Sequence, residues 1–383
     1  MDISITNVCL DLGAGRRGAA DGPSAIHKAG IVAALEAMGH RVATHHEILQ
    51  DDSAAAGPDP RTHYLDAIAS ACTRLADTVE HTLRAGRFPL ILGGDHSQAI
   101  GSVAGLVRYF RPQGKELGVF WVDAHADMNT PETSPSGNLH GMPLAILLGH
   151  GPKALVSMNA GLPALSPKHV VLFGVRQVDA DEEPLVQRSG VRVFTRNEIR
   201  DRGIDVCLCE ALDLLSGAGA GIHLSYDLDA CDPGLAPGVT TPVSRGLDQG
   251  EALKLCEMIA RSGRLTSMEI VELNPTSDLE NRTGELAVRL VASALAGSPR
   301  PSPGLRGTPL PPSPGSQRHR WERQVAILAR SLFRDMRAQG FATGDVVGFA
   351  SALLQELISH INDAKGLESS DPSCRAVGSR IDG

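Results

Sequence analysis

Acidic and histidine side chains recur at alternating positions in short segments of the sequence. They are Asp123, His125 and Asp127, then Asp227 and Asp229, with His96 following a pair of glycines. Side chains two residues apart share one face of an extended chain, so each set can converge on one point. Four carboxylates in one pocket would repel one another and lose hydration, and two divalent cations would cancel their charge. The spacing therefore predicts a metal centre.

The types of these side chains also restrict the metal. Carboxylate oxygens with imidazole nitrogens suit a hard or borderline ion such as Mn²⁺, and Co²⁺ stays open. Zinc held by thiolates is disfavoured because none of these segments has a cysteine at a ligand position. A single acid at a strand end often caps a helix or turn. Several such segments, each ending an apolar run, favour metal binding over capping.

The segments that carry these residues are predicted to be strands. Apolar runs at 3–12, 88–95, 117–127, 169–176, 221–232 and 266–274 each end in charged or glycine residues, and a further strand begins at 41–44. Helical spacing predicts one helix opened by residues 21–24 and continuing to 40, and another over 64–86. Strands that alternate with helices favour a mostly parallel sheet, with ligands at the carboxyl ends of its strands.

Composition excludes several classes of function. The 383 residues include 36 basic and 44 acidic side chains, a net charge of −8, which argues against nucleic-acid binding. No apolar run approaches the length of about 18 residues that a membrane span needs. The N-terminus has the alternation of a strand and not of a signal peptide. Seven dispersed cysteines favour free thiols and a cytoplasmic protein.

A glycine pattern near the N-terminus offers a competing interpretation. Gly13, Gly15 and Gly18 match the dinucleotide-binding pattern directly after a strand, and Glu47 is a candidate for its acidic residue. The next helix is predicted to start at 21–24, too far along the chain for its N-terminus to bind a pyrophosphate. We therefore expect a loop without a dinucleotide.

The composition changes after residue 297. Residues 298–317 contain seven prolines and are predicted to form a stiff linker. Residues 318–366 have the pattern of two amphipathic helices, and 367–383 are predicted to be disordered. A helix pair of this length is small for an independent core, so we expect it to dock on the main domain or on another copy.

Five segments together resemble the signature runs of the ureohydrolases, and within that group the sequence is most similar to arginases. They are residues 93–97, 123–130, 136–143, 225–233 and 271–275, and the likeness covers 1–297. The resemblance implies a three-layer α/β/α sandwich around a mostly parallel sheet, here with a C-terminal helical extension. It implies hydrolysis of L-arginine to L-ornithine and urea by a metal-bridged hydroxide at two Mn²⁺ per subunit. It also implies a homo-oligomer, a trimer or a hexamer.

The resemblance assigns roles by position. One manganese would be held by His96, Asp123, Asp127 and Asp227, and the other by His125, Asp123, Asp227 and Asp229. Asp127, His140 and Glu272 would be catalytic: Asp127 holds the water, His140 moves a proton, and Glu272 pairs with the guanidinium. Substrate contacts would come from Asn129, Ser136 and Asn138 for the α-carboxylate, Asp179 and Glu182 for the α-ammonium, and Thr241 beside the guanidinium.

Two departures from the family pattern leave alternatives open. Gln177 stands where an acid is common, and Cys231 stands where an aliphatic residue is usual. The shared metal segments also fit an agmatinase, a guanidinobutyrase or a formiminoglutamase. The length of the C-terminal region supports a third hypothesis, a metal-binding scaffold that acts through its C-terminal helices.

Overall fold

A parallel sheet of eight strands forms the centre of the computed structural model, which describes residues 1–159 and 162–296. The strands are β1 (Asp2–Cys9), β2 (Arg41–Leu49), β3 (Phe88–Leu92), β4 (Gly118–Val122), β5 (Val170–Val175), β6 (Arg192–Thr195), β7 (Ile222–Asp227) and β8 (Leu265–Val271). Their order is β2-β1-β3-β8-β7-β4-β5-β6, and each neighbouring pair is parallel. All carboxyl ends of the strands therefore lie at one edge of the sheet.

Helices cover both faces of this sheet. They are α1 (Gly22–Lys28), α2 (Ile31–Ala37), α3 (Leu65–Arg84), α4 (Ala99–Phe110), α5 (Pro143–Leu147), α6 (Lys153–Val156), α7 (Glu183–Arg188), α8 (Arg196–Arg202), α9 (Ile204–Leu214), α10 (Gln249–Arg261) and α11 (Arg282–Leu295). Alternate side chains of strand β4 contribute to the hydrophobic cores on opposite faces of the sheet. Phe120 and Val122 pack with α1, α2 and α8–α11, whereas Val119 and Trp121 pack with α3–α6. This arrangement confirms the predicted α/β/α sandwich.

Most predicted elements are confirmed, with one correction near the N-terminus. The long helix predicted after residues 21–24 is two helices, α1 and α2, because Gly30 adopts a φ of 92° between them. The apolar spacing continues across the break, which is why the sequence pattern did not reveal it. The helix predicted over 64–86 is α3, and it buries Ile68, Leu75 and Val79.

The glycine-rich segment is a loop, as expected. The Gly13 amide donates to Asp95 Oδ2 at 2.8 Å, and a Cβ at Gly13 would lie 2.6 Å from Asp95 Oδ1. Helix α1 begins at Gly22, four positions beyond Gly18. Gly13 thus allows close packing against Asp95, and Gly18 leads into a single 3-10 turn, Ala19–Asp21, that precedes α1.

The predicted linker at 298–317, the helix pair at 318–366 and the tail at 367–383 lie outside the described residues. Among the helices of residues 1–159 and 162–296, none combines the length and apolar character that crossing a bilayer requires.

Candidate active site

Four adjacent strands in the middle of the sheet supply the predicted site. In the order β3, β8, β7 and β4, their carboxyl ends lead into His96, Glu272, the pair Asp227 and Asp229, and the set Asp123, His125 and Asp127. Because the strands are parallel, segments that are far apart in sequence meet at one edge. The structure brings all of these side chains together.

The first cluster is centred on His96. Its Nδ1 atom lies 3.1 Å from Asp123 Oδ2, 3.0 Å from Asp127 Oδ2 and 3.1 Å from Asp227 Oδ2. All four side chains are buried. One nitrogen thus faces three carboxylate oxygens in a largely buried space.

The second cluster is centred on His125. Its Nδ1 atom lies 3.0 Å from Asp229 Oδ2 and 3.4 Å from Asp123 Oδ1. Asp123 therefore presents one oxygen to each histidine and joins the two clusters. Asp227 turns its Oδ2 to His96, while its Oδ1 accepts a hydrogen bond of 2.8 Å from the Asp229 amide.

Neighbouring groups hold these side chains in place. The His96 ring stacks on Trp121 with 4.2 Å between ring centroids, and its Nε2 lies 2.9 Å from Ser225 Oγ. When Nε2 donates to that hydroxyl, Nδ1 presents a lone pair to the carboxylates, as a metal ligand must. The Trp121 indole donates to Asp123 Oδ2 at 3.1 Å.

The donor set fits divalent cations. His96 Nδ1 and Asp127 Oδ2 lie 3.0 Å apart, but neither atom makes a hydrogen bond of suitable geometry with the described residues. Leaving buried polar atoms unpaired in this way is costly in a protein interior. Oxygen and imidazole nitrogen are the ligands of hard and borderline ions. The clusters His96–Asp123–Asp127 and Asp123–His125–Asp229 each keep their ligand atoms within 4.8 Å of one another.

The pKa values of two of these acids also reflect the crowding of buried carboxylates. Burial, followed by the Asp123 charge, raises the pKa of Asp127 to about 7. Burial and the charges of Asp229 and Asp123 raise the pKa of Asp227 well above its usual range. These two acids therefore favour their protonated forms unless cations replace the protons. At Asp123 burial is outweighed by His125 and His96, which lower its pKa.

A second pair of side chains lies beside the clusters. Glu272 Oε1 accepts a hydrogen bond of 2.9 Å from the His96 amide and lies 3.0 Å from His140 Nδ1. Burial opposes the charged form of His140, but the charge and hydrogen bond of Glu272 outweigh it and raise the pKa of His140 to about 9. Glu272 Oε2 is buried without a hydrogen-bond partner among the described residues. This oxygen is available to a cationic ligand.

Two of the acids adopt an unusual backbone. Asp127 has a φ of 53° and Glu272 a φ of 66°, the left-handed region that side chains other than glycine rarely adopt. Such strain concentrates at functional sites, where the surrounding structure enforces it. Here it turns both carboxylates toward the same space.

A cavity of about 170 Å³ opens above the clusters and contains the predicted substrate residues. Its lining includes Asn129, Ser136, Asn138, His140, Asp179, Glu182, Thr241 and Glu272. At its outer part, Asn129 Nδ2 donates to Asp179 Oδ2 at 2.9 Å. Glu182 accepts from the amides of Met128 and Asp179, and Thr241 Oγ1 donates to Asp229 Oδ2 at 3.1 Å.

The two residues that depart from the family pattern, Gln177 and Cys231, occupy different places in the structure. Gln177 lines the cavity, so it is positioned to contact a ligand. Cys231 is buried, with its Sγ 3.4 Å from the Tyr226 hydroxyl. Burial raises the pKa of Cys231 to about 12, which keeps the thiol protonated and makes it a poor ligand.

The sequence-based prediction missed several supporting residues. Trp121 stands two positions before Asp123 and Ser225 two positions before Asp227, so strand alternation places each on the face of its neighbouring candidate ligand. That signal was present in the sequence. Arg176 was also missed, and its partners are main-chain carbonyls, which no residue pattern reveals.

Comparison with known proteins gives a consistent result. A model of the arginase family matches residues 1–297. The arginase of Brevibacillus brevis is 44% identical over 294 residues, which are 77% of this chain and 97% of that protein. The arginase of Bacillus caldovelox is 43% identical over 299 residues, 76% of this chain and 97% of its own length. The crystal structure of arginase from Bacillus cereus superimposes with a TM-score of 0.73 at 42% identity, covering 77% and 99% of the two chains.

Proposed function

The chain belongs to the arginase family, and from that membership we propose that it hydrolyses L-arginine to L-ornithine and urea. One structural observation supports this function above the others. Glu272 Oε2 is a buried acceptor without a partner among the described residues, beside two clusters of acids and histidines. A guanidinium ion satisfies such an acceptor by donating to it.

We further propose that two Mn²⁺ ions bind here. His96, Asp123, Asp127 and Asp227 would hold one ion, and His125, Asp123, Asp227 and Asp229 the other. When bound, such a pair of cations supplies Lewis acidity and lowers the pKa of water, so a nucleophile is present at neutral pH. The buried carboxylates supply the opposing charge.

Side chains of the protein then perform the remaining tasks. Asp127 accepts a hydrogen bond from the attacking water and holds it in place. Glu272 accepts from the N–H groups of the guanidinium, which both attracts and orients the substrate. His140, held protonated by Glu272, donates a proton to the amine that leaves as ornithine.

The outer part of the cavity would select the amino-acid end of the substrate. Asn129, Ser136 and Asn138 offer donors to an α-carboxylate, and Asp179 and Glu182 offer acceptors to an α-ammonium. All five line the cavity. Agmatine lacks the carboxylate and would leave these donors unused.

We also propose that the enzyme works in the cytoplasm as a homo-oligomer, a trimer or a hexamer. The first part is supported by the cysteines, since the six in the described ranges are all free thiols. The second rests on the resemblance to arginases.

Urea release from L-arginine and from agmatine, each with added Mn²⁺ and with EDTA-stripped protein, tests the proposal. We expect Mn²⁺-dependent turnover of arginine and little turnover of agmatine. Better turnover of agmatine would leave the proposed metal centre unchanged and overturn the assignment of the residues that bind the α-carboxylate and α-ammonium. Turnover of guanidinobutyrate or a formimino acid instead would do the same.

Asp127→Ala tests the metal centre directly. The variant loses a carboxylate that faces His96 and contributes to one ligand cluster. We expect loss of activity together with bound manganese. Glu132→Gln, an exposed acid on the loop after Asp127, is the matched control and is expected to leave both unchanged. Full activity and metal content in Asp127→Ala would contradict the proposal.

A further inference from the structure

Arg176 lies beside the second cluster but has no part in the mechanism above. It directly follows β5, and its amide donates to the Ala124 carbonyl at 2.8 Å. Ala124 stands between two of the ligands, Asp123 and His125. The main chain of Arg176 therefore already fixes one ligand-bearing loop.

The guanidinium of Arg176 binds two further loops. It donates to the main-chain carbonyls of Gly174, Asp229, Ala230, Cys231, Val243 and Ser244. The shortest of these bonds, 2.7 Å each, end on Asp229 and Val243. One side chain thus joins the loop that carries Asp229 to the loop that carries Thr241.

The consequence for the ligands is specific. Asp229 Oδ2 faces His125 Nδ1 and accepts from Thr241, while its Oδ1 accepts from the Ala124 amide at 3.2 Å. Each of these three contacts of Asp229 joins two of the loops to which Arg176 is hydrogen-bonded. No hydrogen bond of Arg176 within the described residues reaches His96 or Asp127, which belong to the first cluster.

The choice of arginine fits this task. A guanidinium presents five N–H donors in a fixed plane, whereas a lysine ammonium has three donors around one atom. In the described part of the chain, each hydrogen-bond acceptor of this guanidinium is a carbonyl, so the side chain fixes loop geometry by hydrogen bonds and interacts with the carboxylates of Asp229 and Asp123 only through its charge.

We propose that Arg176 is a positioning residue for one half of the metal centre, the half formed by His125, Asp229 and Asp123. This inference rests on the proposed function, because it requires two ions in the wild-type protein. Loss of the guanidinium lets the Asp229 and Thr241 loops separate, and the ion at His125 and Asp229 is then bound more weakly. The ion at His96 and Asp127 is retained.

Manganese binding to full-length Arg176→Lys and Arg176→Gln tests the proposal. Titration of stripped protein is followed by calorimetry, and electron paramagnetic resonance distinguishes an interacting ion pair from an isolated ion. We expect one of the two affinities, that for the ion at His125 and Asp229, to fall by about 10–100-fold, as for other residues that orient metal ligands. The affinity for the other ion should stay within about twofold. Arg176→Lys, which retains the charge and some donors, should lie between wild type and Arg176→Gln.

Activity gives a second readout that general loosening of the fold would not produce. At limiting Mn²⁺ the variants should lose kcat for arginine, and excess Mn²⁺ should restore most of it with little change in KM. Arg264→Gln is the matched control. Arg264 is also partly buried and donates to two carbonyls, those of Leu215 and Ala218, but it lies at the start of β8, away from the site.

The outcomes separate the two proposals. Wild-type protein that binds fewer than two ions overturns the dinuclear centre, and the inference with it. If wild type binds two ions and the Arg176 variants bind both ions as tightly as wild type does, only the inference about Arg176 is overturned. An equal loss of affinity for both ions also overturns it, because the effect is then not confined to one half of the metal centre.

Discussion

At the scale of single residues, Glu272 divides its two oxygens between two tasks. Oε1 is engaged by the His96 amide and by His140, whereas Oε2 has no partner among the described residues. The acid therefore links a ligand-bearing loop and a titratable base to the place where a cation would bind. It lies buried, where charge-assisted hydrogen bonds are strong.

Replacing Glu272 by glutamine tests this assignment. The glutamine side chain retains the shape but not the charge, so kcat/KM for arginine should fall by about 30-fold or more, which corresponds to about 2 kcal/mol. Metal content should be unchanged, since Glu272 belongs to neither cluster. Glu257→Gln, an exposed acid of α10 that pairs with Arg261, is the control and should keep full activity. Unchanged kcat/KM in the Glu272→Gln variant would remove the acid from the site.

The pair of His140 and Glu272 also predicts how stability depends on pH in metal-free protein. The pKa of His140 is raised from 6.5 to about 9, so its contribution is complete below pH 6.5 and is lost as pH rises through about 9. Burial opposes the charged form of Glu272, but His140 outweighs it and lowers the pKa of Glu272, so that contribution is lost in acid.

Denaturant unfolding of wild type and His140→Asn at pH 6 and at pH 9.5 measures this effect. We expect wild type to exceed the variant in free energy of unfolding at pH 6, by no more than about 3 kcal/mol, and the difference to shrink at pH 9.5. A difference that grows with pH would have the wrong sign for a protonated His140.

At the scale of elements, β8 carries a second buried acid behind the site. Glu269 accepts from Ser102 Oγ of α4 at 2.7 Å and from Gln98 Nε2 at 3.3 Å, and it lies 3.1 Å from His223 Nε2 of β7. Burial opposes ionisation, but the His223 interaction outweighs it and lowers the pKa of Glu269 to about 2. The ionised acid joins two strands and a helix.

Removal of Glu269 should therefore weaken the fold more than removal of a single hydrogen bond. Glu269→Ala leaves several buried donors without an acceptor, and we expect a loss of about 3 kcal/mol or more in free energy of unfolding. Ser267→Ala, which breaks only the contact of 2.9 Å between Ser267 Oγ and His223 Nδ1, should cost about 1 kcal/mol. Equal costs would mean that Glu269 has no special role.

The elements differ in how visible they are in the sequence. Buried parallel strands such as β4 and β7 are continuous apolar runs, so their positions could be predicted. The four-residue strand β6 is too short for a periodicity, and the break at Gly30 depends on one backbone angle. The proximity of the candidate ligands could be predicted because their types and spacing are chemical signals. The roles of Arg176 and Glu269 depend on partners that only the folded chain brings together.

At the scale of the whole molecule, the family match ends well before the chain does. Residues 1–297 match the arginase family, and the Brevibacillus brevis arginase is covered over 97% of its length by 77% of this chain. The relatives therefore correspond to the catalytic part without the segment beyond 297. That part includes every residue proposed for the site.

A chain that ends at residue 297 should hydrolyse arginine with kcat/KM within about twofold of the full-length protein, since no proposed site residue is removed. Size-exclusion chromatography with light scattering of both forms measures the oligomeric state in parallel. Retained activity with a changed oligomeric state would support an assembly role for residues 318–366. Loss of activity in a folded, truncated protein would indicate a direct role of the C-terminal segment. A full-length protein without turnover of any guanidino compound would favour the scaffold hypothesis.

The left-handed backbone at Asp127 and Glu272 has a consequence for how this protein can evolve. A side chain other than glycine in that conformation costs on the order of 1–3 kcal/mol, and both residues place a charge in the interior as well. Under selection for stability alone, glycine would be favoured at position 127, whereas Glu272 also accepts from the His96 amide and pairs with His140. A descendant relieved of catalysis should therefore lose Asp127 early and gain thermal tolerance, so glycine at that position in a relative would mark a pseudoenzyme.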